Sequence, residues 1–376
     1  MNQIILGGGQ SKGKDGRLLW LDIAKGVAIL LTIIGHTVPM NGNIRKIIYS
    51  FHMPLFFLLS GYTFRQVSAS EIKAQIKKDI KRLLLPYIYC CGVDVLIGTV
   101  FGGRSFLQIA AAYALGYTGN YLGLPAVGTL WFMPALFWAK TVYRFVLLYV
   151  EKYRQMFILM TAFAGIWIGQ SIWLPQSLDF IFVILIFMET GYLLKQWSCN
   201  SKDSWKQGTI QKVFGVVAFF AWTWYLGSGN GGYKIDVSIR IFDKYTLGIL
   251  MAVLASICVI QFCRSVENWK MVSGIAFLGK HTLAIFYIHK FDWILWKRDG
   301  RMVMALQNCL KDILSSRDFM GKYDSWCNIM TNGVVILQRV LLNILVLLVY
   351  LYIKEFASKL SARAISLGDS KAEMKK

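Results

Sequence analysis

Residues 17–36 read RLLWLDIAKGVAILLTIIGH. Apart from Asp22, Lys25 and Thr32 the stretch after Arg17 is apolar up to Gly35, and about 20 such residues are what a helix needs to cross the hydrocarbon core of a bilayer. It is too long for the apolar part of a removable signal peptide, carries two charges and lacks a small-residue cleavage site. The expectation is a first membrane helix that remains in the protein. Ionisable residues are costly in lipid, so Asp22, Lys25 and His36 become functional candidates. Lys25 and His36 are eleven residues apart. That spacing is three helical turns plus roughly 20°, so an unbroken helix would carry both on one face, about 16 Å apart.

The whole chain has the same character. Of its 376 residues 56% are hydrophobic and 16% charged, against roughly 45–50% and about 25% in soluble domains. With a mean hydropathy of +0.49, too few charges remain to cover a soluble globule, and the class expected is an all-α, polytopic membrane protein. The net charge of +21 would suggest nucleic acid in a soluble protein; in a membrane protein the enrichment of cytoplasmic loops in Lys and Arg accounts for it, and no nucleic-acid partner is expected. The seven cysteines show no metal-ligand spacing and read as small packing residues.

Sliding the span criterion along the chain predicts about ten transmembrane helices, at 20–39, 47–65, 83–101, 125–149, 156–173, 178–195, 213–228, 245–263, 272–290 and 334–353. The apolar piece 106–117 is too short to cross and is expected in the interface or re-entering. Basic residues concentrate in the loops that share a side with the N-terminus, including Lys73, Lys77, Lys78, Lys81 and Arg82 and the C-terminal tail. Both termini are therefore expected in the cytoplasm. The domain plan is a cytoplasmic segment 1–19, a membrane domain 20–353 and a basic cytoplasmic tail 354–376. The outer loop 291–332 carries Met302, Val303, Leu306, Leu310, Ile313 and Leu314 at helical spacing, which predicts an interfacial helix over the outer mouth.

This topology places polar residues at two poles. His36, His52 at the start of helix two and His289 at the end of helix nine all fall near the outer face, whereas His281 starts helix nine at the cytoplasmic end. No short His/Cys/Asp spacing accompanies them, so no metal is expected. At the cytoplasmic pole KKDIKR, residues 77–82, precedes LLLPY. The cluster suits a topology signal and lipid-headgroup anchor, and equally a polyphosphate site held by charge-assisted hydrogen bonds; Lys25 lies at the same end of helix one. Trp131, in GTLWFMP, reads as an aromatic-belt residue or the wall of a substrate cleft. Lys140 and Arg144 snorkel or face the anion site, Glu189 and Asp94 await basic partners, and Ser60-Gly61 allows close helix approach.

Five blocks, RLLWLDIAKGVAILLTIIGH, SFHMPLFFLLSGYTF, KKDIKRLLLPY, GTLWFMPALF and FLGKHTLAIFYIH, stand in order along the chain. Together they resemble acyltransferase family 3, integral-membrane O-acyltransferases, and look most like its stand-alone members near the fucose O-acetylases. The resemblance spans 17–353. It implies about ten membrane helices and transfer of an acyl group, commonly acetyl, from cytoplasmic acetyl-CoA to an extracytoplasmic or lipid-linked sugar hydroxyl, in the inner membrane of a bacterial cell. It also implies that His36 is the essential histidine of the first helix, that Lys25 stands where many relatives have arginine, and that Lys78, Lys81 and Arg82 overlap the motif that faces CoA, with Asp79 as a departure inside it.

The mechanism expected is general-base catalysis by neutral His36 on the acceptor hydroxyl, which attacks the thioester; an acyl-histidine intermediate is the alternative. His52 orients the base or binds the acceptor, and Trp131 and His289 are candidate acceptor contacts. Membrane lipids, acyl-CoA and a carbohydrate are the partners implied. A transporter or flippase is the rival class, whose signature would be paired broken helices in two related halves; the sequence shows no such repeat.

Overall fold

The computed structural model describes residues 17–38, 42–118, 123–200, 204–228, 232–298 and 323–373. They are overwhelmingly helical: α1 (Leu19–Gly35), α2 (Asn43–Tyr49), α3 (His52–Tyr62), α4 (Ile72–Asp79), α5 (Leu85–Val100), α6 (Phe106–Leu115), α7 (Phe132–Tyr149), α8 (Arg154–Ser171), α9 (Ile181–Asn200), α10 (Ser204–Gly227), α11 (Thr246–Ser265), α12 (Ser273–Lys280), α13 (Thr282–Arg298) and α14 (Tyr323–Glu373). The described residues include one two-stranded antiparallel ribbon, β1 (Ile235–Asp236) with β2 (Ile241–Phe242).

Two compact units result. One comprises Met1–Gly35 with Pro39–Lys280, the other His36–Val38 with His281–Lys376. In the first, α1 packs on α12, α3 on α9, α10 on α11 and α8 on α9; in the second, α13 packs on α14.

Four described helices are individually long and apolar enough to cross a membrane, Ala69–Val100, Pro175–Ser198, Thr246–Ser265 and Gly333–Lys359, and the broken pair Lys270–Lys280 and Thr282–Asp292 would make a fifth. Outward residues on two of these helices and on two others agree with a lipid solvent. Ile88 and Leu96 on α5, Leu345 and Tyr352 on α14, and Phe163 and Trp167 on α8 with Val217 and Phe220 on α10 are all exposed. Apolar patches of this extent are not left facing water on a soluble monomer. Backbone polar groups are paired inside the helices, as a bilayer requires.

The structure departs from the expected spans in four places. The helix expected over 47–65 is broken at Ser50-Phe51 into α2 and α3. The helix expected over 272–290 is broken at His281, where the division between the units also falls. The first helix stops at Gly35 and His36 occupies the turn that follows, so the shared helical face predicted for Lys25 and His36 ends one residue short. Finally, α13 runs on to Arg298 and α14 begins at Tyr323; much of the expected 291–332 loop is helix, while the interfacial helix predicted around 302–314 lies outside the described residues. The tail 354–376 continues α14 as far as Glu373.

Between α4 and α5 the chain stays helical through a π turn, Ile80–Leu84, in which the Leu85 N–H reaches back to the Ile80 carbonyl. Pro86 supplies the reason. It has no N–H to offer the Arg82 carbonyl, and its ring crowds that carbonyl, so the turn widens. The widening lies beside a sharp contrast in exposure: Asp79 is buried, while Lys77, Lys78, Lys81 and Arg82 are exposed.

Small residues set the closest helix approaches. A Cβ at Gly61 would lie 1.9 Å from the Met188 carbonyl oxygen, and one at Gly191 would lie 1.9 Å from that of Leu58. Both clashes are with backbone, so relief requires α3 and α9 to move apart. Gly61→Ala is expected to lower stability by about 1–3 kcal/mol, the usual cost of overpacking, read as a reduced unfolding midpoint in detergent; an unchanged midpoint would refute the close-packed interface.

Candidate active site

The second unit contains a polar cluster that begins at half-buried His36 and continues into buried residues of α13 and α14. Its ring centre lies 5.4 Å from that of His289, with the planes inclined at 43°. His289 is on α13, is buried, and its Nδ1 is 2.8 Å from Asp292 Oδ2. An acceptor there makes Nδ1 the protonated nitrogen of a neutral ring, leaving the lone pair on Nε2. The residues stand three apart on the same helix, so one turn of α13 brings them together.

Two residues of α14 complete the cluster. Arg339 donates from Nη2 to Asp292 Oδ1 at 2.6 Å, and from Nη1 to the His36 carbonyl at 3.2 Å and to Thr37 Oγ1 at 3.0 Å. Asn343, one turn further, donates from Nδ2 to Asp292 Oδ2 at 2.7 Å and to the Arg339 carbonyl at 2.9 Å. The Asp292 carboxylate thus accepts from an imidazole, a guanidinium and an amide, and none of the three donors is more than 2% exposed. A buried carboxylate persists only with such compensation. Asn343 must present its amino group to the carboxylate, and its Oδ1 has no hydrogen-bond partner among the described residues.

The first unit holds the basic pole. Lys25 on α1 is half-buried and feels the charges of Asp22, Arg17 and Arg82; Lys140 on α7 also feels Arg82. Arg82 is thus a neighbouring charge of both Lys25 and Lys140, and exposed Lys78 and Lys81 lie on the same helical segment as Arg82. Asp79 turns the other way. It accepts from Lys140 Nζ at 2.7 Å and from Arg144 Nη2, which gives the acidic departure inside the basic motif a structural role. Lys140 and Arg144 are one turn apart on α7 and grip the two carboxylate oxygens separately.

The other predicted residues also lie in the first unit. His52 is buried, with Nδ1 2.9 Å from the Ile48 carbonyl and its ring 4.8 Å from that of Tyr49. Trp131 is 5% exposed and packs edge-on to Phe132 and against Phe57. Glu189 finds the basic partner expected for it: Arg154 Nε donates to Oε1 at 2.9 Å, and the Tyr143 hydroxyl donates to Oε2 at 2.7 Å. Asp94 accepts from the Tyr113 hydroxyl. In the loop that carries the ribbon, burial pushes the Asp236 carboxyl above its ordinary range, partly offset by hydrogen bonds from Ser238. Among the described residues no group of His, Cys, Asp or Glu could hold a metal ion.

Comparison with known proteins identifies the chemistry. The sequence model of a family described as "Acyltransferase domain" matches residues 18–308, well over half the chain. The chain belongs to this acyltransferase family. The acyltransferase is 25% identical over 301 residues to nodulation protein NolL of Mesorhizobium japonicum, covering 73% of this chain and 76% of the relative. It is 30% identical over 146 residues to NolL of Sinorhizobium fredii, covering 34% and 36%. No solved structure matches. The family match contains His36, His52, His289 and Asp292 and ends before Arg339 and Asn343.

Sequence reasoning brought forward His36 and His289 and missed Asp292, Arg339 and Asn343. Asp292 falls in the expected outer loop, because His289, Lys290 and Asp292 itself interrupt the apolar run. Arg339 stood inside a predicted span, in GVVILQRVLLNILVLLVY. The rule that made Lys25 a candidate applies to it equally, and Asn343 four residues on shares its face.

Proposed function

We propose that this acyltransferase moves an acyl group, acetyl in the first instance, from cytoplasmic acyl-CoA to a hydroxyl of an extracytoplasmic or lipid-linked sugar. The observation that carries the reading is the pairing of half-buried His36 with buried His289, in a chain whose family performs acyl transfer. Neutral His36 removes the acceptor proton as the oxygen attacks the thioester carbonyl, and the proton is available for the departing thiolate. His289 and His52 stand as further acceptor-side residues and Trp131 as a ring wall for the sugar. Lys25, Lys78, Lys81 and Arg82 meet the phosphates of CoA. The reading includes a bundle of about ten spans in the bacterial inner membrane with both termini cytoplasmic, since this arrangement keeps the basic pole on the CoA side.

The direct test supplies labelled acetyl-CoA to proteoliposomes or membrane vesicles containing glycan acceptor, with uptake measured in parallel. Label in an alkali-sensitive ester on the glycan is expected. Uptake without ester formation would overturn the reading in favour of transport.

For the donor site, Lys25→Ala combined with Arg82→Ala is expected to raise the apparent donor KM by about 10-fold or more. A hydrogen bond to a charged group is worth roughly 1.5–3 kcal/mol when shielded, and the exposure of Arg82 brings the combined loss toward the tenfold expected here. The acceptor KM should hold. An unchanged donor KM removes the basic pole from CoA binding.

A further inference from the structure

We infer that Arg339 and Asp292 are positioning residues of acyl transfer, one setting His36 and the other setting His289. The inference rests on the reading of His36 as the general base and extends the site beyond the segment matched by the family.

His36 follows the last residue of α1, in the turn beyond the helix. Arg339 holds that turn. Its guanidinium is planar and forked, so Nη1 can hold the His36 carbonyl and the Thr37 hydroxyl while Nη2 is anchored on Asp292. The anchor is rigid because Asn343 braces both Asp292 and the Arg339 carbonyl from the next turn of α14. Asp292 has a second duty: its Oδ2 accepts a hydrogen bond from the His289 Nδ1–H, which selects the tautomer and the ring angle. A single carboxylate therefore couples the backbone beside one imidazole to the side chain of the other, and the two rings stand 5.4 Å apart. A lysine could not replace the arginine, since one ammonium on a flexible stem cannot hold both sets of acceptors in a fixed plane.

A displacement of about 1 Å in a reacting group can cost about 10²-fold in rate without loss of substrate binding. The experiment measures acetyl transfer by the full chain in proteoliposomes, with kcat and both KM values determined separately. Arg339→Met and the isosteric Asp292→Asn are expected to lower kcat by about 10²-fold while donor and acceptor KM stay within about threefold. Arg339→Lys should recover no more than about a tenth of the lost rate. Thr37→Val, which keeps the side-chain shape and removes only the hydroxyl that Arg339 holds, should lower kcat by about 5-fold. It also reports on the clamp if the two buried-charge variants do not fold.

Normal kcat in Thr37→Val and in whichever of Arg339→Met and Asp292→Asn inserts would overturn the assignment. So would a fall in kcat matched by a similar rise in both KM values, which marks general loosening. His36→Ala run alongside separates the two levels: if it is inactive while the clamp variants turn over normally, only the positioning roles fall. If it is active, the general-base reading itself fails.

Discussion

His36→Ala and His36→Gln, inserted in the membrane at normal levels, should each lower acyl transfer by about 10³-fold or more and leave donor binding within about twofold. A positioned general base contributes typically about 10²–10⁴-fold, and His36 is the residue whose backbone the Arg339 clamp fixes. Gln separates chemistry from shape: it retains a polar head but cannot accept a proton near neutral pH, so it should be as inactive as Ala. The basic pole is built from α1, α4, the π turn and α7 without any contribution from His36. Binding of labelled CoA should therefore persist in both variants. Near-normal transfer in either one would remove His36 from the chemistry, whereas loss of CoA binding together with transfer would mean that the substitution had disturbed the fold.

The architecture was legible wherever lipid is the only solvent a segment meets. Apolar runs of span length mark α5, α9, α11 and the core of α14, and structure and sequence agree there. Breaks inside runs were not legible. Nothing in residues 47–65 announces the interruption at Ser50-Phe51, since Pro54 is tolerated in the first turn of the helix that follows. Likewise Lys280-His281-Thr282 falls inside the expected 272–290 span, whose apolar residues continue on both sides. At the site, His36 was visible because an ionisable residue at the end of an apolar helix demands explanation. Its partners were harder for two different reasons. Asp292 was hidden by a decline in hydropathy that coincides with continued helix. Arg339 was masked by the strongly apolar residues around it. Pairings between distant segments, such as Asp79 with Lys140 and Arg144, leave only a faint mark in sequence: an i,i+4 cation pair on one helix and a lone acid elsewhere.

That last pairing carries the largest expected effect on stability. The Asp79 side chain is 3% exposed, and so is that of Arg144. Two nitrogens of Arg144, Nε and Nη1, have no hydrogen-bond partner among the described residues, so the guanidinium depends on Asp79 for its compensation. Asp79→Ala removes that partner and leaves a buried cation, a change that typically costs about 3–5 kcal/mol. Lys140 is 19% exposed and can turn its ammonium toward water at smaller cost. The loss should therefore follow Arg144 and be relieved by removing its charge. Asp79→Leu with Arg144→Met is accordingly expected to recover most of the stability lost in Asp79→Ala, because a buried ion pair replaced by packed apolar side chains is often neutral or better. Asp79→Ala with Lys140→Met should recover little. Unfolding midpoints of the purified variants in one detergent decide between these outcomes. A single variant as stable as the parent, or rescue by Lys140→Met rather than Arg144→Met, would show that Asp79 is not the counter-charge that keeps α7 against the π turn. The acid inside the basic motif would then have to act at the proposed donor site, where a negative charge among Lys78, Lys81 and Arg82 would weaken the field instead of holding the fold.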